Sequence, residues 1–185
     1  MSVLDIYVLD APILRKETAP VTHVTDDLRA LIDDMFETMY AARGIGLAAP
    51  QVGRTERVCV VDVDGARYAL VNPEIVLTEG TSRAEEGCLS IPDIYGDVDR
   101  AQHVVVHALD RDGEPFELDA TDLLARCLQH EIDHLHGRLF IDYLSVVKRQ
   151  AALRKWRKQR GEDRSLTRTV VPQEVAEHHH RDEEL

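Results

Sequence analysis

The sequence predicts an α+β fold: antiparallel or mixed β-sheets packed around one central metal-binding helix, with an amphipathic helix on the N-terminal side and a basic helix on the C-terminal side. Three observations carry this. From Thr121 to Gly137 the apolar residues Leu123, Leu124, Cys127, Leu128, Ile132 and Leu135 recur at spacings of three and four, the period of a helix with one buried face. Between Val58 and Leu118 the pattern changes to short β-branched runs broken by Asp-Gly pairs, which read as strands joined by hairpins. Stretches of helical period lie on either side, from Asp26 to Gly44 and from Ser145 to Arg160.

A chain of 185 residues is long enough for one sizeable core, whereas two domains would leave both halves small. We therefore expect one domain over residues 1–160 and a disordered, charged tail over 161–185. A net charge of −12 and a pI near 5.1 argue against DNA binding by the surface as a whole. The start, Met1-Ser2-Val3-Leu4-Asp5, lacks the basic and apolar segments of a secretory signal. No apolar run is long enough to span a bilayer, so a cytoplasmic protein without a membrane partner is expected. Its three cysteines, Cys59, Cys88 and Cys127, do not make an even disulfide framework and read as core filler, metal ligand or nucleophile.

Residues 1–24 read as an extended arm with turns at Asp10-Ala11-Pro12 and Ala19-Pro20. Thr25 or Asp26 then caps a helix whose stripe is Leu28, Leu31, Ile32, Met35, Phe36, Met39 and Tyr40. After it comes Gly44-Ile45-Gly46-Leu47-Ala48-Ala49-Pro50-Gln51, a run of small residues suited to a wall against which something presses closely. It lacks the Lys-Ser/Thr pair of a phosphate loop. Strands follow at Val58–Val63, Tyr68–Val71 and Ile75–Thr78, the first two joined by Asp64-Gly65. Glu85 to Pro92 surrounds Cys88 with glycine, proline and acids, and Asp93 to Arg100 reads as an irregular, charge-rich loop. His103–Leu109 is a strand that turns at Asp112-Gly113 into Pro115–Leu118, with His103 and His107 on its exposed face. Beyond the central helix, Leu139–Leu144 packs back on the core, and Ser145 opens a helix whose charged residues are all basic. His178 to His180 could bind stray metal, but Arg181 to Leu185 follow, so they are no simple terminal tag.

The chemistry sits on the central helix. In Gln129-His130-Glu131-Ile132-Asp133-His134 the histidines are four residues apart, so one helical face presents both imidazoles to a single cation with Glu131 alongside. Two protease arrangements lack their third ligand here. The metzincin position holds Phe140, and the helix after His134 offers no glutamate. Cys88 is the remaining soft donor, and a thiolate with two imidazoles leaves a coordination position for water, the mark of a catalytic site.

Three segments in this order, Gly44-Ile45-Gly46-Leu47-Ala48-Ala49-Pro50-Gln51, Glu86-Gly87-Cys88-Leu89-Ser90 and Gln129-His130-Glu131-Ile132-Asp133-His134, resemble the signature segments of the peptide deformylases of bacteria, over about Leu4 to Leu144. The resemblance implies a metal-dependent hydrolase that removes the N-formyl group from the initiator methionine of nascent polypeptides. Cys88, His130 and His134 would hold one Fe²⁺, for which Zn²⁺, Ni²⁺ or Co²⁺ may substitute. Metal-bound water would attack the formyl carbon, with Glu131 as general base and acid and with the Gln51 amide and the Leu89 N–H as oxyanion donors. By the same likeness, Ile45, Gly46, Leu89 and Cys127 would border the methionine slot. We also expect a buried Arg100–Asp133 ion pair whose loss destabilises the fold strongly.

The basic stretch from Lys148 to Arg160 leaves a second class open: a module that binds RNA or the ribosome near its exit tunnel. A cysteine hydrolase built on Cys88 and His130 and a Zn-dependent peptidase are the remaining alternatives.

Overall fold

The computed structural model describes residues 2–171, and the sheet it contains is covered on both faces by helices. Strands β1 (Ile6–Tyr7), β2 (Gly46–Ala48), β3 (Val58–Val63), β4 (Ala66–Glu79), β5 (Ser82–Cys88), β6 (Ile91–Arg100), β7 (His103–Leu109), β8 (Pro115–Thr121) and β9 (Thr167–Arg168) alternate with helices α1 (Asp26–Ala41), α2 (Asp122–Leu135) and α3 (Val146–Arg160). Five strands form an antiparallel sheet in the order β2-β3-β4-β7-β8, while β5-β6 and β1-β9 are separate antiparallel pairs. The expected fold class is the one observed.

The unbroken apolar run Val58–Val63 has a direct cause. Alternate side chains of a strand leave opposite faces. Cys59, Val61 and Val63 pack with Leu128, Ile132 and Leu135 of α2, whereas Val58 and Val60 pack with Leu28, Ile32, Met35 and Met39 of α1. Burying an aliphatic side chain of this size stabilises the fold by roughly 1.5–3 kcal/mol. Thr25 caps α1 by accepting from the Leu28 N–H at 3.2 Å. At Asp64 and Gly65, where φ is 53° and 80°, the hairpin adopts the left-handed turn that matches strand twist.

Three local expectations change, and the N-terminal arm, which the sequence left without a role, acquires one. Tyr68–Val71 and Ile75–Thr78 are one strand, β4, interrupted by a bulge between Val71 and Glu74. Asn72 sits in it at a φ of 52°, and its amide exchanges two 2.8 Å hydrogen bonds with the backbone of Val21. Asp93 to Arg100 belongs to a strand rather than a loop. Beyond the bulged residues before Gly96, Val98 and Arg100 face inward on alternate positions; a buried arginine and a glycine hide that period in the sequence. The N-terminal arm braces the central helix, because Thr18 donates its N–H and hydroxyl to the Leu135 carbonyl, each at 2.9 Å, supplying partners at the C-terminal end of α2. Lastly, order does not stop at Gly161. Thr167–Arg168 pairs with Ile6–Tyr7, and Val170 is buried beside Ile6 and Leu47; a polar composition conceals one apolar anchor. His178, His179 and His180 lie outside the described residues.

Helix α3 rests on the protein through Ala152 and Trp156, whose indole N–H donates to Asp10 at 2.9 Å. Arg149, Arg154, Arg157 and Lys158 remain exposed. No helix among the described residues is long and apolar enough to cross a membrane.

His103 on β7 is held between Glu79 of β4 at 3.0 Å and Asp119 of β8 at 2.8 Å. These two carboxylates raise its pKa above the ordinary histidine value. A raised histidine contributes stability that is complete below its unfolded pKa of about 6.5 and is lost as pH rises through the folded value. An NMR titration should therefore place the His103 midpoint above that of a free histidine, and Asp119→Asn should lower it; an unshifted midpoint would contradict the bridging geometry.

Candidate metal centre and active site

The site forms where α2 passes beneath the end of β5. His130 and His134 project from one face of α2 with ring centroids 5.0 Å apart. Cys88, the last residue of β5, brings its Sγ to 3.3 Å from His134 Nε2. The donor atoms of Cys88, His130 and His134 all lie within 4.8 Å of one another. A thiolate and two imidazoles at such separations match the coordination of a zinc or ferrous ion. Phe140, which stands where a third histidine would be in a metzincin, stacks on the His130 ring at a centroid distance of 6.4 Å.

The triad is fixed by a buried charge cluster centred on Glu86, two residues before Cys88 on the same strand face. Glu86 Oε2 lies 3.0 Å from His130 Nδ1. Its carboxylate accepts a forked pair from Arg100 at 2.9 and 3.0 Å and a third bond from Arg126 at 2.8 Å. Burial works to raise the pKa of Glu86, but His130 and Arg100 outweigh it and hold it at about 2. Such a partner sets the His130 ring so that its other nitrogen meets the cation. Arg100 also reaches Asp133 at 2.5 Å, so the expected ion pair is present. Arg126 further donates to the Val98 and Ser82 carbonyls at 2.9 and 2.7 Å. Gln129 exchanges bonds of 2.9 and 3.0 Å with the backbone of Ala101. Hairpin and helix are thus tied at several points.

Glu131 is buried, and its Oε2 has no hydrogen-bond partner among the described residues. Burial pushes its pKa up to about 7, with His130 opposing and Glu86 adding to the rise. An unpartnered buried carboxylate oxygen is costly unless something donates to it, which fits an acid that handles the proton of a water. The wall opposite is Gly46: a Cβ built there would collide with Glu131 Oε1 and come within 2.9 Å of Cys127 Sγ. Cys127 Sγ in turn lies 3.5 Å from the Ile45 carbonyl. Gly44 is equally tight, since a Cβ would stand 2.6 Å from Leu89 Cδ1. The small residues of this loop let it touch both α2 and the Cys88 segment.

Gln51 is aimed by its neighbours. Its Oε1 accepts from the Ala48 N–H at 2.8 Å, which turns Nε2 toward Ser90 Oγ at 3.1 Å and Cys88 Sγ at 3.6 Å. Leu89 and Ser90 form the turn between β5 and β6, and among the described residues no acceptor is hydrogen-bonded to the Leu89 N–H. These contacts bring Ile45, Gly46, Gln51, Cys88, Leu89, Cys127, His130, Glu131 and His134 close together in the fold. Sequence reasoning assigned no role to Glu86, Arg126 or Ser90. A glutamate two positions before the cysteine on a strand and an arginine four before the first histidine on a helix were the available signals.

A model of the polypeptide deformylase family matches residues 3–150. The chain belongs to the polypeptide deformylase family. A peptide deformylase of Alkalilimnicola ehrlichii is 56% identical over 162 residues, covering 85% of this chain and 91% of the relative. The crystal structure of a peptide deformylase from Legionella pneumophila superimposes with a TM-score of 0.83 at 50% identity, covering 86% of this chain and 96% of that one. A peptide deformylase from Ehrlichia chaffeensis, solved in complex with actinonin, gives 0.84 at 40% identity, covering 89% and 100%. Deformylases are metal-dependent hydrolases, and Cys88, His130 and His134 are a group of side chains that could hold such an ion.

The cluster predicts an order of sensitivities. Asp133→Ala leaves Arg100 paired with Glu86 and should cost about 1.5–3 kcal/mol, less than the strong loss expected from the sequence. Glu86→Ala removes the carboxylate shared by three groups, leaving Arg100 only Asp133, Arg126 only backbone carbonyls and His130 Nδ1 no acceptor, and should cost about 3–5 kcal/mol while weakening metal retention; urea unfolding and metal analysis would show the reverse order if the cluster were centred elsewhere. Gly46→Ala should fold yet displace Glu131, lowering kcat on the order of 10²-fold; an unchanged kcat would mean that Gly46 does not hold Glu131 in place.

Proposed function

We propose that this chain removes the N-formyl group from formyl-methionyl nascent polypeptides by hydrolysis at the Cys88–His130–His134 centre, with Glu131 carrying the proton. One observation bears most of the weight: a buried carboxylate oxygen of Glu131 without a partner among the described residues, beside three soft metal donors. The ion, when bound, supplies Lewis acidity that lowers the pKa of water toward neutrality and polarises the formyl carbonyl.

Glu131 takes the proton of the attacking water and returns one to the leaving amine, so that formate and a free N-terminus result. A pKa near neutrality suits a group that must both accept and donate. Gln51 Nε2 and the Leu89 N–H donate to the oxygen on which negative charge develops; the support is the aimed amide of Gln51 and the uncommitted N–H of Leu89. Ile45, Gly46, Leu89 and Cys127 form the apolar border for the methionine side chain, consistent with their mutual contacts. Fe²⁺ is the ion we assign, on the likeness already drawn from the sequence, with Zn²⁺, Ni²⁺ or Co²⁺ able to use the same donors.

A second property rests on α3. Arg149, Arg154, Arg157 and Lys158 are exposed on a protein of net charge −12, which supports docking of the Lys148–Arg160 stretch on ribosomal RNA near the exit tunnel.

Both are tested by one substitution. In anaerobically purified Glu131→Gln protein, formate release from a formyl-methionyl peptide should fall about 10²–10⁴-fold, with bound metal and salt-sensitive ribosome co-sedimentation unchanged. Retained formate release would remove Glu131 from its role, and absence of ribosome binding in the parent protein would remove the second property. A chelator should silence the parent enzyme; a chelator-resistant activity would favour a thiol hydrolase instead.

A further inference from the structure

The turn Leu89-Ser90 is held by segments distant in the sequence. Its own hairpin closes it with the Cys88↔Ile91 pair, beyond which the β5–β6 ladder slips before Glu86↔Gly96. Its carbonyls are held from outside. Leu9 N–H donates to the Ser90 carbonyl at 3.0 Å, and Arg168 Nε donates to the Leu89 carbonyl at 3.0 Å. These two segments are joined to each other: Ile6 pairs with Arg168, Tyr7 with Thr167, and the Val8 N–H donates to the Leu166 carbonyl at 2.9 Å. Val170, buried against Ile6 and Leu47, anchors the far side.

We infer that Arg168 is a positioning residue for deformylation: by gripping the Leu89 carbonyl it fixes the peptide unit that follows Leu89 and so orients the N–H that precedes it. This rests on the reading of the Leu89 N–H as an oxyanion donor. Three constraints then converge on a single residue. Cys88 is set by the ladder and the triad, the Leu89 side chain by Gly44, and the Leu89 carbonyl by Arg168. An N–H without an acceptor of its own keeps a useful direction only if the atoms around it cannot rotate. Arg168 is half-buried; burial lowers its pKa, and the neighbouring Cys88 and Asp93 oppose that fall.

Removing an oxyanion donor typically costs 10²–10³-fold, and misdirecting one should cost less, about tenfold. Arg168→Met keeps the apolar stem and deletes the donor. Full-length, metal-loaded protein carrying it should show a kcat about tenfold lower, with KM, bound metal and thermal midpoint unchanged, and Arg168→Lys should restore part of the loss. The same pair is then measured in a chain whose Leu89 is replaced by its α-hydroxy analogue, turning the Cys88–Leu89 amide into an ester that lacks the N–H. That chain should itself be strongly impaired, and Arg168→Met should cost it nothing further. An unchanged kcat for Arg168→Met in the amide chain, or an equal loss in both backgrounds, would overturn the assignment of Arg168 and leave the Leu89 reading standing. Full kcat in the ester chain would overturn the Leu89 reading, and the role of Arg168 with it.

Discussion

The carboxylate of Glu86 is the constraint on which the rest of this structure depends. It is buried, charged, and shared among Arg100, Arg126 and His130. Each partner comes from a different place: Arg100 from the end of β6, Arg126 and His130 from successive turns of α2. A cluster of this kind holds together because the desolvation cost of each ion is offset by direct bonds to the others. Its geometric effect exceeds its energetic one. It locks the strand that supplies the thiolate to the helix that supplies the imidazoles, and it sets the tautomer and tilt of one imidazole. His134 has no such partner, its Nδ1 being buried without a hydrogen bond among the described residues. The outer nitrogen of one imidazole is therefore directed by a hydrogen bond, whereas that of the other is enclosed by packing.

Much of this was legible in the residues. The spacing of His130 and His134, the caps at Thr25 and Ser145, the Asp64-Gly65 turn and the alternation in His103–Leu109 are local signals, and local signals survive without tertiary information. The features that escaped all depend on partners distant in the chain. Ile91–Arg100 conceals its strand because an inward position is filled by an arginine that only a buried glutamate makes tolerable. Strand β4 conceals its continuity because Asn72-Pro73 reads as a stop, whereas the bulge there is stitched to Val21. The segment after Gly161 reads as tail because its single apolar anchor, Val170, is invisible until Ile6 is beside it. For the site, residue types pointed to the candidate metal donors and to Glu131, while the groups bonded to their surroundings, Glu86, Arg126 and Arg168, were spread over a strand, a helix and a terminal segment.

The glycine wall shows how a catalytic acid can be protected without being paired. Gly46 presses so close to Glu131 and Cys127 that no side chain fits between them. The carboxylate is screened from solvent by backbone and not by a competing donor, and its proton affinity rises through burial. A loop of small residues thus covers the carboxylate that a larger side chain at Gly46 would displace.

The pairing of Ile6–Tyr7 with Thr167–Arg168 has a temporal consequence. Cys88, His130 and His134 are all synthesised before Arg168, so a growing chain possesses its complete ligand set while the turn beside the thiolate still lacks its outer support. Contacts between residues so far apart in sequence carry a larger loop-closure cost than local ones. The outer support of the Leu89-Ser90 turn therefore rests on residues made after the three donors beside it.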